Sequence, residues 1–101
     1  MLTRIVKLRI AKEKANDFEA IFHSGKKTIR GFEGCEYLEL WKEISSNDDE
    51  VIFMTHSKWI DEKFLNLYRA SDFFKETWSK SKLLFAGKPE AWSVNSIEKL
   101  V

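Results

Sequence analysis

The chain has 101 residues, which allows one domain and leaves no room for a second. Apolar residues make up 44% and charged residues 33%, which describes an ordinary folded domain rather than a disordered chain. With 17 basic and 16 acidic residues the net charge is +1, without the one-sided charge of a nucleic-acid or membrane-surface binder.

The opening run, MLTRIVKLRI, alternates apolar and polar residues. A secretory leader needs a continuous apolar run and a small-residue cleavage site. No stretch approaches the roughly 20 apolar residues that span a bilayer. The single cysteine, Cys35, has no partner in the chain for a disulfide. These features lead us to expect a cytoplasmic protein with neither membrane nor nucleic acid as partner. Within residues 4–10, Val6, Leu8 and Ile10 point one way, while Ile5, Lys7 and Arg9 point the other. That period of two predicts a strand.

Over residues 14–30 the period changes. Ala15, Phe18, Phe22, Gly25 and Ile29 fall on one helical stripe, and Gly31 and Gly34 follow as stop signals. Residues 35–43, CEYLELWKE, alternate again: Cys35, Tyr37, Glu39 and Trp41 on one face, Leu38 and Leu40 on the other. The polar run SSNDDE joins them to VIFMTHS, so the two strands form a hairpin with a polar tip. Val51, Ile52, Phe53 and Met54 run unbroken, which predicts a strand covered on both sides. Ser57 is placed to cap a short helix with Ile60, Phe64, Leu67 and Tyr68 on one face. Ser71 caps a second helix with Phe74, Trp78, Ser81 and Phe85 inward, ended by Gly87 and Pro89. The tail, EAWSVNSIEKL, reads as a last strand with Trp92 and Val94 as its apolar members.

The order β-α-β-β-α(α)-β predicts an α+β, ferredoxin-like βαββαβ sandwich, with one antiparallel sheet and helices on one face. The other sheet face is then bare, yet strand residues on both faces are apolar. A bare apolar face needs a partner, and a second copy packed sheet to sheet closes a dimeric α/β barrel. The expected partner is therefore the chain itself, as a homodimer; the alternative is an isolated domain with some exposed apolar residues.

Three runs carry a family resemblance: EGCEYLEL, WIDEKFLNLYRASDFFK and LFAGKPEAWSV. In this order and spacing they resemble the antibiotic-biosynthesis monooxygenase (ABM) family over residues 1–101, and the last resembles a subgroup of small bacterial members. The resemblance implies a single dimeric α+β barrel domain. It also implies oxygen insertion into aromatic or quinol substrates without metal or flavin, or haem breakdown in one branch. The haem branch carries an Asn on the first strand, a Trp on the short helix and a His ligand on the next helix. Val6, Tyr68 and Trp78 stand at those places. Quinol-type members often carry His where Tyr68 and Phe73 stand. Trp59, which opens the helix in many members, is kept. The family implies a fold strongly and a reaction weakly.

The chemistry-bearing residues are few. The only histidines are His23 and His56, too few and too far apart for a zinc site. No glycine-rich phosphate loop occurs, so neither metal nor nucleotide cofactor is expected. His56, three residues before Trp59, is the candidate base for a phenolic substrate; the bland alternative is a strand-end His bonded to backbone or water. His23 reads as a surface residue. Cys35 reads as a buried structural thiol. Trp59, Tyr68, Phe73, Phe74 and Trp78 crowd the two later helices. They are either core or the walls of a pocket for a small aromatic ligand, with Tyr68 as its polar handle. The expected catalytic residues are His56 and Tyr68, with Trp59, Phe73 and Trp78 binding substrate. The alternative is a non-catalytic dimeric binding or stress-response protein on the same fold.

Overall fold

Alternation in the first ten residues produces the central strand of the sheet. In the computed structural model, which describes residues 1–44, 47 and 49–101, β1 spans Leu2–Ala11. A short 3₁₀ turn, Lys12–Lys14, leads into α1, Ala15–Arg30, whose Ala15, Phe18, Gly25 and Ile29 are buried. β2 is Cys35–Lys42 and β3 is Glu50–Trp59. Two helices follow, α2 at Glu62–Arg69 and α3 at Asp72–Lys82, and β4 closes the sheet at Glu90–Asn95. The strands are antiparallel in the order β2-β3-β1-β4, so the expected ferredoxin-like sandwich is the architecture found. The expected hairpin tip lies in part, at Ser45, Ser46 and Asp48, outside the described residues.

Strand register sorts every side chain to a face. Ser93, Arg4, Ser57 and Leu38 form one row across the four strands, and Ala91, Val6, Thr55 and Leu40 form another. Both rows lie on the helix side, where Arg4, Val6, Thr55 and Ser57 line a cavity under the helices. The intervening rows face away: Trp92, Ile5, His56 and Glu39, then Glu90, Lys7, Met54 and Trp41. A one-residue slip would exchange the two sets, because side chains alternate with period two.

The core sits between sheet and helices. Leu8, Ile10, Phe18, Val51, Phe53 and Leu84 form its larger cluster; Cys35, Trp59 and Leu65 form the smaller. Ile10, Phe53 and Trp59 are almost wholly enclosed. Burying a side chain of the Ile or Phe kind contributes about 1.5–3 kcal/mol. Phe18 packs on Phe53 with ring centroids 4.8 Å apart, fixing α1 over the sheet.

Four local expectations are corrected. Ser57 does not cap α2: it lies inside β3, and Asp61 caps the helix by accepting from the Lys63 amide at 2.9 Å. The strand outlasts its apolar run because Trp59 is its last buried anchor. Ile60 and Leu67 are not part of the inward stripe; they are 50% and 59% exposed, and Phe64, Leu65 and Tyr68 turn inward instead. Cys35 does not share a face with Tyr37, because a register shift between them places Cys35 opposite Trp59 on the buried side. The tail strand stops at Asn95, after which residues 96–101 hold no regular structure.

Glycine is required at Gly34. Its φ is +86°, and a Cβ there would stand 2.3 Å from Cγ of Phe64. The Gly34 carbonyl accepts from the Ile60 amide at 2.8 Å, so this turn fixes where α2 begins.

Candidate functional site

The helices do not lie flat on the sheet, and a cavity of about 300 Å³ opens between them. Its floor follows β1 from a polar end to an apolar one. Arg4, flanked by Ser57 and Ser93, gives way to Val6, flanked by Thr55 and Ala91, and then to Leu8 beside Phe53. Its walls come from α1, from Leu65, Tyr68 and Arg69 of α2, and from Phe74, Thr77, Trp78 and Ser81 of α3. A largely apolar cavity with a few convergent polar groups suits a small planar molecule.

An aromatic ladder forms one wall. Trp59 stacks on Tyr68 at 5.2 Å between ring centroids, and Tyr68 meets Phe74 edge-on, also at 5.2 Å. Phe74 stacks on Trp78 at 5.7 Å, and Trp78 meets Phe85 edge-on at 5.4 Å. Trp59 is 1% exposed, and its indole donates to Ser57 Oγ at 3.0 Å. This bond satisfies two buried polar groups that each cost about 1–3 kcal/mol when left unpaired.

Tyr68 owes its position to the joint between the helices. The Ser71 hydroxyl donates to the Tyr68 carbonyl at 2.6 Å and accepts from the Phe74 amide at 3.1 Å, capping α3 and tying it to the end of α2. Burial pushes the Tyr68 phenol up to about 12, with the neighbouring Cys35 thiol adding to the effect. The hydroxyl therefore keeps its proton at neutral pH and acts as a donor, not a base. No hydrogen bond joins it to another described residue. Burial also raises the Cys35 thiol, as befits a structural cysteine.

The expected site residues divide. Trp59, Tyr68 and Trp78 line the cavity together. Phe73 does not; its ring lies against Phe32 at 5.9 Å and over Gly25 of α1. His56 is not in the cavity either. It sits on the opposite sheet face, between Tyr37 at 5.1 Å and Trp41 at 4.9 Å, so the expected Tyr68–His56 hydrogen bond does not form. Its Nδ1 is buried without a hydrogen-bond partner among the described residues, 3.6 Å from Glu39 Oε1. Hydrogen bonds from Trp41 and then Tyr37 hold the Glu39 carboxyl below the usual range. The Tyr37 hydroxyl donates to Glu39 at 2.8 Å.

Sequence reasoning missed Arg4, Thr55 and Arg69. Arg4 and Thr55 carry a legible signal, since they occupy the helix-facing positions of otherwise apolar strands. Neither His23 nor His56 lines the cavity, so no imidazole stands there to hold a haem iron. Among the described residues no group of three or more His, Cys, Asp or Glu is placed to hold a metal ion. No helix among them is long and apolar enough to cross a membrane.

The family model described as "Antibiotic biosynthesis monooxygenase" matches residues 1–79. Solved structures share the fold at low identity. A conserved protein from Methanosarcina mazei Go1 is 23% identical, with 93% of this chain and 91% of that chain covered and a TM-score of 0.82. Rv0793 from Mycobacterium tuberculosis is 10% identical over 99% and 98% of the two chains, with a TM-score of 0.85. A variant of SnoaB from Streptomyces nogalater, described as a cofactor-independent oxygenase, is 14% identical over 98% and 96%, with a TM-score of 0.78. No curated protein matches the chain.

Proposed function

The chain belongs to the antibiotic biosynthesis monooxygenase family, and from that premise we propose that it is a cofactor-independent monooxygenase acting on a small aromatic or quinol-like compound held between helices and sheet. The observation that carries this reading is the cavity of about 300 Å³ walled by Trp59, Tyr68 and Trp78. The ring of the substrate lies along the aromatic ladder, and the protonated Tyr68 hydroxyl donates to one of its oxygens. The reaction balances without a protein-borne redox group. A hydroquinone takes one atom of O₂ into its ring and loses two hydrogens, giving a hydroxyquinone and one water. The substrate supplies all four electrons. The protein's share is to orient the ring, hold its ionised form and exclude water.

A specific observation favours the second reading, a binding protein without chemistry. The cavity holds no imidazole, and the carboxylate of Glu90, the one acidic residue along its lining, is engaged by Arg9 at 3.8 Å. Oxygen uptake with a panel of hydroquinones separates the two. The monooxygenase reading expects one O₂ consumed per substrate and one labelled oxygen atom from ¹⁸O₂ in the product. Ring binding without uptake across the panel leaves the binding protein.

The partner on the other sheet face is a second copy in this account. Ile5, Met54, Trp41, Trp92 and Val94 share that face, with Trp41 39% and Trp92 44% exposed. Lys7 and Lys58 lie among Glu39 and Glu90 there, so the same patch on a two-fold mate presents opposite charges. Light scattering at micromolar protein is expected to give twice the 11.9 kDa chain mass; the mass of a single chain would remove the dimer.

A further inference from the structure

The cavity is apolar along most of its length, but it carries two guanidinium groups with no carboxylate among the described residues to neutralise them. The chain has four arginines. Arg9 is bound to Glu50 at 2.9 Å and to Glu90 at 3.8 Å, on the open sheet face. Arg30 donates to the Cys35 carbonyl at 2.7 Å. The other two, Arg4 and Arg69, both line the cavity. Neither forms an ion pair with a described carboxylate. Arg4 spends one N–H on Ser93 Oγ at 3.0 Å, which fixes its guanidinium over the β1–β4 edge and leaves its other donors uncommitted among the described residues.

Two cations facing one apolar space are unfavourable by themselves. The Arg4 guanidinium is held below its ordinary value, first by burial and then by the charge of Arg69. Arg4 is partly buried and Arg69 exposed, so part of the Arg4 charge is withdrawn from water with no counter-ion among the described residues. The remaining charged lining residue does not supply one, because the Glu90 carboxylate is turned to Arg9. Position strengthens the case. Arg4 comes from the floor and Arg69 from the last turn of α2, where it directly follows the donor Tyr68. Three donors from two elements thus converge on the polar end of the cavity, while Val6, Leu8 and Trp78 line the rest.

We propose that the ligand of this cavity is an anion: a planar ring compound whose ionised oxygen, carboxylate or phenolate, sits between Arg4 and Arg69 while its ring lies along Trp78 and Phe74. This rests on the reading that the cavity takes a ring, and it deepens that reading by giving the ring a charge. For a phenolic substrate it also supplies what the missing imidazole would have done. The guanidinium pair favours the phenolate, so the O–H bond breaks with its proton passing to water and the electron pair staying on the oxygen. No protein base has to accept the proton. Guanidinium suits this role because it stays charged and offers several fixed donors to an oxyanion.

The test compares two probes of one shape with the full chain: 2-naphthoate, which is anionic, and 2-naphthamide, which is neutral. Calorimetry is expected to show the anion binding about tenfold or more tightly, the size of one charge-assisted hydrogen bond. That advantage should shrink in Arg69→Gln, an exposed position where folding is not at stake, and in Arg4→Gln. The amide should bind both variants as it binds the parent. Added salt should weaken the anion alone. A second readout uses 4-nitrophenol, whose yellow anion reports its own ionisation. Its apparent pKa should fall by about one unit on binding and recover in Arg69→Gln. Equal affinity for the two naphthalenes, or an advantage untouched by both substitutions, overturns the anion site and leaves the ring cavity standing. Failure of both probes to bind overturns the cavity reading and this proposal together. A preference for 2-naphthoate without a pKa shift in 4-nitrophenol restricts the anion to a carboxylate.

Discussion

The two faces of the sheet divide the chain's chemistry between them. The helix-covered face carries the cavity, the aromatic ladder, Tyr68 and two arginines with no ion pair among the described residues. The open face carries His56, Glu39, Tyr37 and Trp41, with the chain's one strand histidine enclosed by two aromatic rings. The difference teaches that residue type alone does not locate a site. His56 has the chemistry of a base, but strand parity puts it on the other side of the sheet from the space that can hold a substrate. The covered face holds an enclosed cavity, and the open face leaves Trp41 and Trp92 exposed.

Breaking the covered face should cost the most. Trp59→Ala removes a fully enclosed indole and orphans the Ser57 hydroxyl, so chemical denaturation should show a loss of about 3–5 kcal/mol. On the open face Trp92→Ala, at an edge strand whose residues are all exposed in the single chain, should change the stability of that chain by less than about 1 kcal/mol and act instead on the proposed dimer. Comparable losses for the two would erase the distinction between the faces.

Alkaline stability sharpens the comparison next. The Tyr68 phenol is raised from 10.0 to about 12 by burial. The folded chain therefore holds a proton that the unfolded chain gives up above pH 10. The stabilisation is complete below that pH and is lost as pH climbs through 12, by on the order of 2 kcal/mol. Tyr68→Phe should flatten that alkaline arm between pH 10 and 12. Tyr37, on the open face, is exposed, and its phenol is raised by its hydrogen bond to Glu39. An arm unchanged in Tyr68→Phe would place the buried phenol elsewhere.

A smaller effect is expected at the helix joint. Ser71→Ala removes the α3 cap and the bond to the Tyr68 carbonyl, so stability should fall by about 1 kcal/mol. Affinity for a ring probe should fall with it, since Tyr68 loses its anchor. A stability loss with unchanged affinity would make the cap structural only.

Much of this was legible in the sequence, and the failures have physical causes. Period-two alternation in RIVKLRI placed β1 and its faces, and the stripe from Ala15 to Ile29 placed α1. The ladder joins Trp59, at the end of β3, to Tyr68 and Trp78 on the two short helices, aromatic positions that stand out in the sequence. Cys35 was assigned to the wrong face because a single register shift inverts alternation, and no residue type announces it. The Tyr68–His56 pairing failed because closeness along the chain does not reveal which side of a sheet a side chain takes. Phe73 was grouped with the walls because it adjoins Phe74, yet neighbours on a helix point about a quarter-turn apart. Arg4 was overlooked among scattered surface charges, although its place in the row with Val6 and Leu8 set it facing the helices.

The central claim is that ligand binding belongs to the cavity under the helices and not to the face of His56. Calorimetry with 2-naphthoate tests it most directly in two variants. Thr77→Trp projects a large ring into the cavity from α3, and His56→Ala opens the other face. The account predicts that Thr77→Trp, folded by circular dichroism, loses about tenfold or more in affinity while His56→Ala stays within about twofold of the parent. Full affinity in Thr77→Trp together with loss in His56→Ala would contradict it and move the site to the open face.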